Sequence, residues 1–234
     1  MCYDETMKTK NILWATLLVV SVVGCSVKPQ VKTWSFDFEG DVSGFDAVFA
    51  DYHDDGNNYA TYEMDFERSI IPGTTNSALR LQGHNRSDDL FMGVVKPLSG
   101  LNPSSRYVLT ISFTLYTDVE AGTIGIGGSP SESVYVKAGA VAIKPQVTQG
   151  QDGLWELNID KGQQSQGGTT IPVVGNMAKP EGSTEGFVSK GLEVTLNITT
   201  DSTGQLWLIL GSDSGFEGLT IYYLDDITVT AKPA

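Results

Sequence analysis

The 234-residue chain is poor in cysteine: Cys2 and Cys25 are its only two. Both lie near the N-terminus, so the body of the chain has no disulfide and no cysteine-built zinc site. Histidine is as scarce, with His53 and His84 alone. That leaves no His/Cys cluster for a metal and no Ser-His-Asp arrangement around a nucleophile elbow. Gly211-Ser212-Asp213-Ser214-Gly215 reads as a turn and not as Gly-x-Ser-x-Gly. Basic residues are few, 15 Lys and Arg against 28 Asp and Glu, for a formal charge of −13. Such a surface repels nucleic acid and anionic polysaccharide and suits neutral ligands, cations or plain solubility. No apolar run reaches the roughly 20 residues that span a bilayer as a helix. Gly125-Ile126-Gly127-Gly128-Ser129-Pro130 is glycine-rich, but a strand-like run follows it, whereas a phosphate cradle needs a helix N-terminus there.

What the N-terminus does hold is a secretory layout. Lys8 and Lys10 precede the apolar run Ile12 to Val23, and Gly24 and Cys25 close it before the polar Ser26-Val27-Lys28-Pro29-Gln30. Asp4 and Glu5 suit a signal n-region poorly, which makes Met7 an alternative start. Val22-Val23-Gly24-Cys25 resembles the lipobox of bacterial lipoproteins. The resemblance implies cleavage after Gly24, lipid on Cys25 and a membrane anchor of acyl chains with no spanning helix. An ordinary cleaved signal with a free Cys25 is the competing reading. Ser26 after the cysteine points to the outer membrane of the cell envelope. Residues 1–24 then form the signal peptide, 25–32 a tether and 33–232 a single domain, and the chain past Gly24 still carries −13. A domain of that length buries most of its apolar surface without staples.

Past the tether the chain alternates with period two. Trp34, Phe36 and Phe38 alternate with polar residues, as do Tyr62, Met64 and Phe66. Leu109, Ile111, Phe113 and Leu115 share one face, with Thr110, Ser112 and Thr114 on the other, and Leu192, Val194, Leu196 and Ile198 repeat the pattern. Leu206 to Leu210 is apolar throughout, as a strand buried on both sides would be. Ile221, Tyr223, Ile227 and Val229 are expected on one face of the last strand, with Asp225 among them. No segment sustains a 3.6-residue period. About ten strands with glycine-rich turns predict an all-β fold, a two-sheet antiparallel sandwich or jelly roll. The long stretch Gln163 to Gly186 is a candidate functional loop with a short strand near Ile171 to Val174.

Four short motifs, in order, carry a family resemblance. They are Phe36-Asp37-Phe38-Glu39-Gly40-Asp41, Asn76-Ser77-Ala78-Leu79-Arg80-Leu81, Leu101-Asn102-Pro103-Ser104-Ser105-Arg106-Tyr107 and Tyr222-Tyr223-Leu224-Asp225-Asp226-Ile227. Together they resemble the galactose-binding-like jelly rolls shared by several carbohydrate-binding-module families. The resemblance implies neighbouring first and last strands whose acidic groups hold a structural calcium. Glu39 and Asp225 are the first candidates, Asp41 and Asp226 the second, with backbone carbonyls completing the six to eight oxygens that calcium takes. Segment 125–168 does not match the family pattern.

Other constellations are weaker. Asp51-Tyr52-His53-Asp54-Asp55-Gly56-Asn57-Asn58 misses an EF-hand loop, with His53 where Asp or Asn belongs, and reads as an acidic surface turn. Tyr135-Val136-Lys137-Ala138-Gly139 resembles a motif of jelly-roll alginate lyases, but the tyrosine, arginine strand and Gln-x-His of that family are missing. Catalytic residues are therefore not assigned. For carbohydrate binding the candidates are Tyr52, Asn57, Asn58, Tyr59, Tyr135, Lys137, Asp160, Lys161 and Gln163: aromatics able to stack on a sugar, with amides and charges to fix it. A protein partner in the envelope is the alternative use of the surface. Lys137, Asp160 and Lys161 otherwise read as charges facing water.

Overall fold

Where apolar and polar side chains alternate, the chain is extended. The computed structural model describes residues 30–86 and 88–234, so the signal segment and Cys25 lie outside the described residues. In chain order the strands are β1 (Lys32–Phe36), β2 (Asp46–Ala50), β3 (Tyr52–His53), β4 (Asp65–Ile70), β5 (Ser77–His84), β6 (Leu90–Leu98) and β7 (Arg106–Thr117). Then come β8 (Val134–Val141), β9 (Val147–Gln149), β10 (Leu154–Leu157), β11 (Val173–Asn176), β12 (Val188–Thr199), β13 (Leu206–Ser214) and β14 (Leu219–Pro233). One helical turn, α1 (Asn58–Thr61), interrupts them. The described residues thus hold fourteen strands and not about ten, because stretches such as β3 and β9 read as loop, while β11 falls at the short strand expected near Ile171 to Val174. Lys32, assigned to the tether, is the first residue of β1.

The strands form an all-β, two-sheet antiparallel jelly roll. One sheet has the order β12-β7-β14-β5-β4, with β1 on β14; the other runs β11-β8-β13-β6-β2. A small third sheet, β3-β10-β9, stands beside the second. The opening and closing strands are neighbours, Lys32 opposite Ala231 and Phe36 opposite Ile227. Between the two large sheets lies the main core, which includes Leu109, Ile111, Phe113 and Leu115 of β7, Val136 and Ala138 of β8, and Leu208 and Leu210 of β13. Burying such a side chain is worth about 1.5–3 kcal/mol. Tyr222 crosses the layers, its hydroxyl donating to the Met92 carbonyl at 2.8 Å, so its buried polar end is satisfied.

Two expectations fail at bends. The last strand does not keep one apolar face. Its register against β7 slips between Asp225 and Thr228, and Asp226 takes the left-handed φ of 49°. A bulge adds one residue, so faces swap across it. Ile227 and Val229 enter the main core with Tyr222 and Leu224, while Tyr223 and Ile221 pack outside with Ile71 and Phe187. Nor is 211–215 a turn: β13 continues through Ser214, with Ser212, Asp213 and Ser214 all buried.

The outer face of the second sheet is covered, which positions the site. Ile209, Phe91, Val95, Val48 and Ile171 form a second core there, with Leu157 and Ile159 against it. The covering segment runs beside β8: Ala138 and Ala140 donate their N–H groups to the carbonyls of Pro172 and Thr170, at 3.3 and 3.2 Å. Gly139 permits this approach, since a Cβ there would collide with the Thr170 carbonyl oxygen. β13 is accordingly buried on both faces, as its unbroken apolar run predicts.

Candidate functional site

Under the covering segment lies a network of charges. Asp213, on β13, is fully buried, and its Oδ2 accepts from Lys137 Nζ at 2.6 Å, Lys161 Nζ at 3.0 Å and the Gln164 N–H at 3.1 Å. Lys137, on β8, is also fully buried and donates to the carbonyls of Lys161 (2.8 Å) and Gln166 (3.0 Å). Lys161 Nζ reaches Asp51 Oδ2 at 2.5 Å and the Gly162 carbonyl at 3.2 Å, and lies 5.4 Å from the centre of the Phe91 ring. Both ammonium groups have three oxygen acceptors, the condition under which a buried charge is tolerable.

The protonation pattern follows. Burial alone would raise Asp213, but a hydrogen bond with Asp89 and the charges of Lys161 and Lys137 outweigh it and hold the carboxyl below its ordinary value. Asp89 is pushed up to about 8 by its own burial, the shared hydrogen bond and the charge of Asp213. At neutral pH the pair is therefore one acid and one carboxylate. Burial opposes the charge of Lys161, yet Asp213 and Asp51 raise its pKa; burial lowers that of Lys137 and raises that of Asp51. One oxygen each from Asp51, Asp89 and Asp213 lies within 4.8 Å of the others. The Lys161 ammonium already bonds two of these residues, so the cluster carries its own cation.

Above the network opens a cavity of about 490 Å³. Its walls include Asp51, His53, Asp88, Asp89, Glu156, Asp160, Lys161 and Gln163, with Leu154, Leu157 and Ile159 as the apolar part. The polar walls are held from behind. Asp160 accepts from the Thr169 N–H and hydroxyl, both at 3.0 Å, and from the Gly162 N–H at 3.2 Å; the Thr169 bonds lead in keeping its carboxyl below the usual range. Gln164 Nε2 donates to the Asp88 carbonyl at 3.0 Å, tying the 160s loop to the β5–β6 turn. Asp51, Asp88 and Gln164 all have positive φ, at 62°, 70° and 47°. A side chain in that region costs about 1–2 kcal/mol; Asp51 and Asp88 line the cavity, and Gln164 is bonded to Asp88 behind it.

Four of the expected ligand-binding residues meet here. Asp160, Lys161 and Gln163 line the cavity and Lys137 anchors it from below; contrary to the expectation that both lysines face water, Lys137 is fully buried and Lys161 is only 6% exposed. A lysine flanked by Val136 and Ala138 in an apolar strand was the signal for a buried partner. Tyr52 is buried, stacked against Trp155 with ring centres 6.4 Å apart, and supports the wall from outside the cavity. Tyr135 shares the β8 face of Lys137 but does not line the cavity. Asn57, Asn58 and Tyr59 lie on α1 and its approach, outside the lining; Tyr59 is 65% exposed and packs edge-on against Phe49. The acidic turn before α1 closes on itself, Asp54 accepting from the Gly56 N–H and Asp55 from the Asn57 N–H. Asp51, Asp88, Asp89, Glu156 and Asp213 were missed, because no sequence spacing places four separate segments at one rim.

A second acidic region lies at the bulge of β14. Asp225 is 4% exposed, and burial, then the charges of Asp226, Glu39 and Asp37, push it to about 6 despite a hydrogen bond from the Asp226 N–H. Glu39 Oε1 accepts from the Ser77 N–H at 3.2 Å. The nearby carbonyls of Phe38 and Glu39 accept from Arg68, at 2.6 and 2.5 Å. Asp41 turns away: it accepts from the Ser43 N–H at 2.6 Å and its charge acts on Lys96.

No family model matches the chain, and no curated protein does. Among solved structures it is similar to the xylan-binding CBM22-1 domain of Paenibacillus barcinonensis Xyn10C, at 15% identity, over 86% of this chain and 94% of that one, with a TM-score of 0.38. A mannan-recognising module, TmCBM27, gives 14% identity over 87% and 99%, with a TM-score of 0.42. A putative sugar binding protein of Bacteroides thetaiotaomicron gives 9% over 80% and 88%, with a TM-score of 0.40.

Proposed function

We propose that the protein is a cell-envelope lipoprotein whose jelly roll binds carbohydrate without transforming it, at the cavity between Asp51, Asp88, Glu156 and Gln163. The observation that carries this is the wall itself: hydrogen-bonding groups fixed by a buried ion network on a rigid two-sheet frame. Five of the eight polar side chains are carboxyls, so they fit a ligand rich in hydroxyl donors and disfavour uronates, phosphates and nucleic acid. Lys137, enclosed and bonded to three oxygens, is a support and cannot touch a ligand. The chain enters the fold at Lys32, opposite Ala231, whereas Asp88 and Asp89 lie in the turn after His84, opposite Leu219. Those ends of β14 are about 40 Å apart at strand spacing. A lipid on Cys25 at the outer membrane would thus leave the cavity facing away from its anchor.

The same reading includes a structural calcium at Asp225, with Glu39 and Asp226 beside it and no lysine or arginine charge on Asp225 among its leading neighbours. Asp41, which faces Lys96, drops out of that set. Calorimetric titration with neutral oligosaccharides tests the main reading. Saturable binding is expected, and silence across neutral and acidic panels would remove it.

One observation favours a protein partner as the second reading. Ile124 and Ile126 are 97% and 72% exposed on the loop before β8, because Gly125 packs its backbone against the Phe216 ring and turns both side chains outward. Co-purification of one stoichiometric partner, lost on Ile124→Ser, with no glycan bound, would favour it.

A further inference from the structure

An ammonium and a carboxylate in water stay a salt, because water solvates both ions. Sealed from water, the same two groups lose that solvation, and a neutral amide removes both buried charges at once. Lys137 and Asp213 are sealed: neither side chain has exposed surface, and Nζ lies 2.6 Å from Oδ2. They project from the same face of neighbouring strands, Lys137 opposite Gly211 and Asp213 opposite Tyr135, so they meet on a diagonal. The Lys161 and Gln166 carbonyls fix the direction of Nζ.

The surrounding groups are those an amide-forming step needs. Asp89 hydrogen-bonds Asp213. Lys161 Nζ and the Gln164 N–H both point at Oδ2, where negative charge would grow in a tetrahedral intermediate. We propose that Lys137 and Asp213 condense inside the folded chain, joining β8 to β13 by a side-chain amide, with Asp89 as the proton carrier.

The step balances without any outside reagent. The Lys137 ammonium gives up one proton and Oδ1 of the Asp213 carboxylate gains one, with Asp89 as the relay, giving an amine and an acid. Nζ attacks Cγ, and Oδ2 carries the developing charge. Asp89 gives its proton to the Oδ1 hydroxyl, the Cγ–Oδ1 bond breaks, and water leaves. The surplus proton on nitrogen returns to Asp89, which ends as it began. An ammonium and a carboxylate have become an amide and one water, and Oδ2 becomes the amide carbonyl, still bonded to Lys161 and Gln164. Lys161 is the poorer nucleophile of the two lysines, since Asp51 and Asp213 together hold it as a cation. Burial works the other way on Lys137, favouring the free amine. The bond would close a long loop in a domain that has no disulfide past Cys25, where a covalent link restricts the unfolded chain most.

Intact-mass spectrometry of the purified, denatured protein, followed by peptide mapping, tests this. The protein should be lighter by one water than the mass of the same chain with its N-terminal processing accounted for, and a branched peptide should join the segments that carry Lys137 and Asp213. Lys137→Arg should restore the full mass, and Asp89→Asn, a near-isosteric change, should restore it in most molecules. The full mass in the folded parent protein would overturn the proposal, whatever the variants do. So would a lost water that maps elsewhere, or one that survives in Lys137→Arg.

Discussion

Two buried aspartates, Asp213 and Asp225, lie in the same jelly roll under opposite terms. Asp213 has two ammonium groups and a backbone N–H on one oxygen and is held below its ordinary pKa. Asp225 has three acidic neighbours among its leading influences, no cation among them, and rises to about 6. Desolvation acts on both; the difference is where the countercharge comes from. The first region brings its own cations on β8 and the 160s loop. The second must protonate or take a cation from solution, which is the physical case for calcium there.

Removing Asp213 should break this contrast most severely. Asp213→Ala leaves Lys137 and the bulk of Lys161 without their shared partner, and loss of one member of a buried pair costs about 3–5 kcal/mol. Urea unfolding should register it as a lower midpoint. A change below 1 kcal/mol would mean the lysines find water. Calcium comes next. At a hundredfold excess over its dissociation constant it should stabilise the protein by about 2.7 kcal/mol, read as a rise in Tm. Asp225→Asn should abolish the rise, while Asp41→Asn should leave it. No shift in the parent protein would retire the calcium site.

Much of the frame was legible in sequence. β7 and β12 are long enough that alternation fixes both faces, and the paired opening and closing strands follow the expected order. The bulge at Asp226 was not legible, because one inserted residue leaves the composition of β14 unchanged while exchanging its faces. The site divides the same way. Asp160, Lys161 and Gln163 are consecutive or nearly so and could be read together with Lys137, but the burial of Lys137 was not read although it sits in an apolar strand. Asp51 and Asp89 come from two separate connections and Asp213 from the end of β13, and only the folded registers of β2, β6 and β13 bring them together.

Smaller effects sharpen the comparison. Glu156→Ala removes an exposed acceptor from the cavity wall and should weaken a neutral glycan by about tenfold, the worth of a hydrogen bond to a charged group. Tyr59→Ala, outside the lining, should leave affinity unchanged; the reverse ranking would move the site to α1. A further test is on pH. Asp89 has a folded pKa of about 8 against 3.8 for the free group. Between those values the native state holds more protons, so stability falls as pH rises through this window and the loss is complete above it. Asp89→Asn should flatten that slope in thermal melts from pH 4 to 9. An unchanged slope would assign it to another group.

The account turns on a glycan seated over the buried lysines and aspartates. An amide NMR titration with the tightest-binding neutral oligosaccharide addresses that directly. Saturable shifts are expected at Asp88, Glu156, Asp160, Gly162 and Gln163, with the amides of β1 and the C-terminal end of β14 still. Shifts confined to any other surface, or none at all, would contradict it.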